Sequence, residues 1–181
     1  MKKVNWTSVQ ASQNGGKKLP AGGYVLIITN VKDVEDKEYL EVEWDINEGE
    51  YKGHFSDEWG RTNTFAHSFK VSYKDSAAGL FKQFLSCLEK SNPSFNIEQW
   101  QAQSNPLAFV GKIIGASWGT EKYTNQNGED RERMTFPLYW SADDIRTGNF
   151  EVPKDKDNRK HTSTPAPAPA VTEYDEDIPF L

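Results

Sequence analysis

The first regular pattern of apolar and polar positions begins at Tyr24, just after the turn-forming run Leu19-Pro20-Ala21-Gly22-Gly23. From there to Val34, the positions Val25, Ile27, Thr29 and Val31 alternate with Leu26, Ile28, Asn30 and Lys32. That is the period of two expected of a strand. Asp33 to Lys37 reads as a turn. Glu38 to Ile46 repeats the alternation, with Leu40, Val42, Trp44 and Ile46 facing a core and Glu41, Glu43 and Asp45 facing water. Asn47-Glu48-Gly49-Glu50 forms the next turn, and Tyr51 to Trp59 is expected as a third strand or extended segment. Arg61 to Lys74 is rich in β-branched and aromatic residues and is also expected to be extended.

At Ser76 the period changes. Leu80, Phe81, Phe84, Leu85 and Leu88 recur at spacings of three and four, which predicts an amphipathic helix to about Lys90, ended by Asn92-Pro93. A short helix is expected around Ile97 to Gln103. Phe109 to Tyr123 and Glu129 to Trp140 then read as the arms of a long hairpin. Its turn is Asn125-Gln126-Asn127-Gly128, where the Asn-Gly pair accepts positive φ. By strand parity Arg131, Arg133, Thr135 and Tyr139 share one face, leaving Met134, Phe136, Leu138 and Trp140 for the core. Lys112, Trp118 and Lys122 share a face of the other arm with Val110, Ile114 and Ala116. Ser141-Ala142-Asp143-Asp144 has the form of a helix N-cap with acids in the first turn.

These elements predict a mainly β chain with one or two helices, folded as a small antiparallel barrel. The oligonucleotide/oligosaccharide-binding (OB) barrel is the leading candidate. Residues 1–160 form this domain. His161 to Thr172 is a Pro/Ala-rich, polyproline-like linker, expected to be disordered, and residues 173–181 form an acidic tip.

Composition sharpens the picture in two places. Aromatic residues make up 13% of the chain, with six Trp, seven Tyr and ten Phe, more than a small core needs, so some rings belong at a surface. The formal charge is −6, which argues against a nucleic-acid binder. However, residues 161–181 hold four acids and no base, leaving 21 basic against 23 acidic residues in 1–160. The lone Cys87 rules out an internal disulfide and falls in the helical pattern as a buried residue. Met1-Lys2-Lys3 is followed by no apolar stretch, and no run approaches the roughly 18 apolar residues of a membrane span. A soluble, cytoplasmic chain with no membrane partner is expected.

The chain closes on Glu173-Tyr174-Asp175-Glu176-Asp177-Ile178-Pro179-Phe180-Leu181. Acids followed by Ile-Pro-Phe closely resemble the terminal tip of bacterial single-stranded-DNA-binding proteins, which recruits other proteins. Asp175, Glu176 and Asp177 suit steering towards a basic pocket, Ile178 and Phe180 suit anchoring in an apolar one, and Pro179 lowers the entropy lost on docking. The family's tip ends on Phe, whereas here Leu181 follows Phe180. A second resemblance rests on Val4-Asn5-Trp6, Leu19-Pro20-Ala21-Gly22-Gly23-Tyr24, Val42-Glu43-Trp44-Asp45-Ile46 and Asn47-Glu48-Gly49-Glu50-Tyr51-Lys52-Gly53. Residues 1 to about 60 look like the start of a phage-encoded single-stranded-DNA-binding family, long known only as a domain of unknown function. The likeness continues more loosely to about Phe150. It implies an OB-like fold and single-stranded DNA as ligand in phage replication or recombination, within a phage-infected or prophage-carrying bacterial host. Replication and recombination proteins are the implied partners of the tip. Homo-oligomerisation stays open.

Single strands are held without sequence preference by aromatic rings that stack on bases and by Lys and Arg that track phosphates. The candidates are therefore segments where the two interleave. Trp59 and Arg61 with Phe65, Phe69, Lys70, Tyr73 and Lys74 form one group. Lys112, Trp118, Lys122, Tyr123, Arg131 and Arg133 of the hairpin form the other, its basic tip serving as a phosphate-gripping arm. Glu121, Glu129, Asp130 and Glu132 are placed to neutralise that arm. Trp44 and Trp140 are expected in the core. His54, His67 and His161 have no metal-ligand spacing with Cys87, and no phosphate loop or nucleophile motif occurs. Asp57 and Glu58, adjacent on an extended segment, would point to opposite faces, so no catalytic pair is expected. Neither enzyme activity nor a cofactor is expected. The alternatives are an aromatic-rich β-domain that binds carbohydrate or protein, and an adaptor that does not touch DNA.

Overall fold

The computed structural model describes residues 18–159. The Val4-Asn5-Trp6 motif, the Pro/Ala linker and the acidic tip lie outside the described residues. The fold is mainly β, built on a curled, antiparallel five-stranded sheet of OB-like form. Its strands are β1 (Gly22–Val34), β2 (Tyr39–Ile46), β3 (Ser68–Ser72), β4 (Ile113–Trp118) and β7 (Leu138–Trp140), in the order β3-β2-β1-β4-β7. A second sheet holds β5 (Thr120–Thr124), β6 (Asp130–Met134) and β8 (Lys156–Asn158) in the order β6-β5-β8.

The long strand β1 serves both neighbours. Its first half pairs with β4 from Gly22↔Trp118 to Ile27↔Ile113, and its second half pairs with β2 as far as Val34↔Tyr39. The register with β2 shifts between Ile28 and Asn30. Such an irregularity bends the strand and resets its parity, so Leu26 and Ile28 point inward before it and Val31 after it. On β2 the alternation places Leu40, Val42, Trp44 and Ile46 in the core as expected. Asp45 departs from the pattern and is buried, because its Oδ1 accepts hydrogen bonds from the backbone N–H of Ile46 (2.7 Å) and of Phe55 (3.0 Å).

The described residues hold four α-helices, where one or two were expected. The main one, α2 (Ala78–Ser91), packs on β3, β4 and β7. Phe84, fully buried, is its hub, with ring centroids 5.3 Å from Tyr139, 5.8 Å from Phe109 and 6.4 Å from Phe69. Leu80, expected on the buried stripe, is exposed instead. The short α3 (Ile97–Gln103) has the bounds read from the sequence, with Asn96 as its N-cap. The N-cap read at Ser141 is a full capping box with Asp144, opening α4 (Ala142–Thr147).

Two segments differ from the extended chain expected of them. Tyr51 to Phe55 is a run of turns, and the chain then enters α1 (Glu58–Thr62). Asp57 caps this helix by accepting from the backbone N–H of Gly60, which gives the Asp-Glu pair a structural role. Thr64–His67 forms a 3-10 turn before β3 begins. The long hairpin is also divided. Its base, β4 with β7, belongs to the five-stranded sheet, whereas its tip, β5 with β6, belongs to the second sheet. The break on one arm is Gly119, where an added Cβ would meet the Pro153 carbonyl oxygen at 2.1 Å, so only glycine fits. On the other arm it is Pro137, which has no N–H to offer a ladder.

That break overturns the parity assigned to the returning arm. Tyr139 and Thr135 are buried, while Phe136 and Leu138 are exposed. Thr135 is held by the crossing itself. Its N–H donates to the Gly119 carbonyl at 3.0 Å, and its Oγ1 accepts from the Gly119 N–H at 2.9 Å. Trp140 is only half-buried, with its indole N–H donating to Ser117 Oγ.

Candidate nucleic-acid interface

A cleft of about 960 Å³ lies where the end of the five-stranded sheet meets the second sheet. Trp44 of β2 and Trp118 of β4, each 2% exposed and with ring centroids 5.3 Å apart, are among its lining residues. Trp59 of α1 lines it as well, half-buried and stacked 6.4 Å from Phe55, which in turn stacks 4.7 Å from His67. The ring nitrogens of buried His67 sit 2.6 Å from the Trp44 carbonyl oxygen and 3.0 Å from that of Gly60. These contacts fix the 3-10 turn against β2 and α1. Gly60 is held in place by the same packing, since an added Cβ would lie 1.9 Å from the Phe55 carbonyl oxygen.

The cleft also carries two large apolar side chains left in water. Phe65, in the 3-10 turn, is 77% exposed, and Phe136, beside Pro137, is 63% exposed. A single exposed ring is unremarkable, but two bordering one concave surface form a place for flat apolar groups. The cations of the cleft are Lys18, Lys70, Arg133 and Lys156, set among Glu41, Glu121 and Glu132. Several are engaged. Arg133 donates from Nε to Glu121 at 2.9 Å and lies 4.8 Å over the Tyr123 ring, and Lys18 is 3.5 Å from Glu132. Lys70 sits 4.9 Å over the ring of Tyr39. Arg133, helped by Asn158, holds the Glu121 carboxyl below the usual carboxylate range.

The residues picked out from the sequence divide accordingly. Trp59, Phe69, Lys70, Trp118, Tyr123 and Arg133 meet at the cleft. Two of them, Phe69 and Trp118, are core residues that contribute walls rather than free rings. Trp118 therefore does not share an exposed face with Lys112 and Lys122. On β5, Glu121 and Tyr123 face the cleft and Lys122, between them, does not. Arg61, Tyr73, Lys74, Lys112 and Arg131 also lie off the cleft. The Arg61 guanidinium donates to the Ser56 carbonyl, Lys112 reaches Ser94 Oγ at 3.3 Å, and Arg131 pairs with Glu129 at 2.6 Å. The Tyr73 hydroxyl donates to Asp33 at 2.8 Å, and chiefly for that reason its pKa is pushed up to about 12. The anticipated basic tip is thus largely met by its own acids. Phe136, which strand parity assigns to the core, instead borders the cleft with Phe65 as an exposed ring.

No helix among the described residues is long and apolar enough to cross a membrane. Among them, too, no cluster of His, Cys, Asp or Glu is placed to hold a metal ion. The chain matches no family model and no curated protein.

Proposed function

We propose that the protein binds single-stranded DNA without sequence preference, in the cleft between the two sheets, and recruits replication or recombination proteins of a phage system through its acidic tip. The observation that carries the DNA reading is the pair Phe65 and Phe136, both largely exposed and both bordering one cleft that also holds Trp59, Lys70 and Lys156. Bases stack on such rings for about 1–3 kcal/mol each, and the ammonium groups track phosphate. The recruitment reading rests on the resemblance of Asp175 to Phe180 to the bacterial tip.

A second reading is favoured by charge. Residues 18–159 hold 17 Lys and Arg against 23 Asp and Glu, and part of the cleft's positive charge is already paired. An uncharged chain, such as a carbohydrate, would suit aromatic walls of that balance. Salt dependence separates the two, because binding to phosphate releases counterions and weakens with a log–log slope of about −0.7 per contact. The test is a tryptophan-fluorescence titration of the full chain with oligo-dT and with duplex DNA at two salt concentrations, repeated on F65A/F136A. Saturable, salt-weakened quenching by oligo-dT, poor with duplex and poorer in the double variant, is expected. No oligo-dT binding by fluorescence or gel shift would sink the DNA reading.

A further inference from the structure

Two tryptophans that line the cleft carry hydrogen-bond donors that the fold does not satisfy. The indole N–H of Trp44 and that of Trp118 are both shielded from water, and among the described residues neither has an acceptor. The neighbouring rings explain why. Trp44 packs against Phe55, Phe69 and His67, and the two His67 nitrogens sit against the carbonyl oxygens of Trp44 and Gly60. Trp118 stacks 4.9 Å from Tyr24, whose hydroxyl donates to the Pro20 carbonyl. Trp100 and Trp140, which do not line the cleft, are satisfied: they donate to the Asn105 carbonyl and to Ser117 Oγ, each at 2.9 Å. The Tyr139 hydroxyl is unpartnered too, but it belongs to the core beneath α2, off the cleft. A buried donor without an acceptor is costly, and native folds hold few of them. Two in adjacent rings, with centroids 5.3 Å apart at one cleft, mark a place where the ligand brings the acceptor.

We propose that Trp44 and Trp118 form a base-edge subsite: a nucleobase inserted into the cleft offers a carbonyl oxygen to their indole N–H groups. The proposal rests on the single-stranded-DNA reading and deepens it, adding a polar contact to stacking on Phe65 and Phe136. A base carbonyl suits this place better than a phosphate does. The wall is aromatic, and a neutral acceptor is desolvated there at far lower cost than an anion. Thymine, cytosine and guanine all carry such an oxygen, so the subsite tolerates mixed sequence. Both nitrogens are covered in the free fold, so the base reaches them only as side chains bordering the cleft shift, and the bond belongs to the complex alone.

The test follows the assigned indole N–H resonances of the full wild-type chain by NMR, titrated with oligo-dT and with an abasic oligonucleotide of equal length. With oligo-dT, the Trp44 and Trp118 resonances should move downfield, as hydrogen-bonded N–H groups do, while those of Trp100 and Trp140 stay in place. The abasic strand should move none of the four. Trp44→Phe and Trp118→Phe remove the donor and keep a ring. Each should bind oligo-dT roughly two- to twelvefold more weakly, with affinity for the abasic strand unchanged. Since a Trp118 variant tests folding as well, the wild-type resonances decide if it fails to fold. Oligo-dT binding that left the Trp44 and Trp118 resonances unmoved, or moved them upfield as stacking on the indole face would, overturns the subsite and leaves the cleft reading standing. Equal downfield movement with the abasic strand would make phosphate the acceptor and also overturn it. Absence of any oligo-dT binding would remove both readings together.

Discussion

Phe65 and Trp118 show why an aromatic residue cannot be assigned a role from its identity. Both line the same cleft, but Phe65 stands in water and Trp118 is 2% exposed against Trp44. Phe65→Ala and Phe136→Ala should each weaken oligo-dT binding by about 1–3 kcal/mol and leave the melting temperature nearly unchanged. Trp118→Ala should instead cost about 3–5 kcal/mol of stability, readable by urea denaturation, so its effect on binding reports folding. Cys87 makes a similar point. Burial pushes its thiol up to about 11, so at neutral pH almost none is thiolate. A disulfide exchange reagent should label it at the rate of unfolding, and fast labelling of native protein would contradict its place in α2. Buried Asp45 is a third case, because one carboxylate oxygen serves two backbone N–H groups. Asp45→Ala leaves the Phe55 N–H without an acceptor and should cost about 1–3 kcal/mol, with Asp45→Asn milder because an acceptor oxygen remains.

Elements with one clean period were legible in the sequence. Strands β1 and β2, the helix α2, the bounds of α3 and the cap at Ser141 all follow from local pattern, since each is decided by neighbours within a turn or two. Two kinds of segment were not legible. Tyr51 to His67 is aromatic enough to read as strand, but its rings pack into turns fixed by distant partners, among them Asp45 and the Trp44 carbonyl. The returning arm failed at Phe136-Pro137, where parity cannot be carried from one sheet to the next. The cleft is drawn from β2, α1, β3, β4, β5, β6, β8 and the segment Lys18-Leu19, so its membership is a property of tertiary structure. One element-level prediction follows from the β5–β6 pairing, where Glu121 occupies Arg133. Because the Glu121 carboxyl is lower in the folded protein than its ordinary value, the stability it lends the arm is complete above the ordinary range and is lost as pH falls through the folded value. Glu121→Gln reproduces the protonated state at neutral pH and frees Arg133. It should bind oligo-dT more tightly, with a salt slope steeper by about 0.7, and its Arg133 side-chain resonances should shift.

At the scale of the whole molecule, charge is segregated along the chain. Residues 1–17 are purely basic, residues 18–159 carry −6, and the last nine residues hold four acids followed by Ile178-Pro179-Phe180-Leu181. On the proposed reading, the acidic end competes with phosphate for the cations of the cleft. Deleting Glu173 to Leu181 should therefore leave oligo-dT affinity unchanged or raise it. The gain should be largest at low salt, because a Debye length of about 10 Å at 0.1 M already screens a distant acid. The same deletion should abolish binding to any replication protein that takes the tip in a basic, apolar pocket. Anisotropy titrations of the intact and truncated chains, at about 0.02 and 0.2 M salt, separate these effects. A truncated chain that bound DNA more tightly than the intact one at low salt, with the difference gone at high salt, would support competition. One that lost DNA binding at every salt would place the acidic tip inside the DNA site, and the division between a binding fold and a recruiting tail would have to be given up.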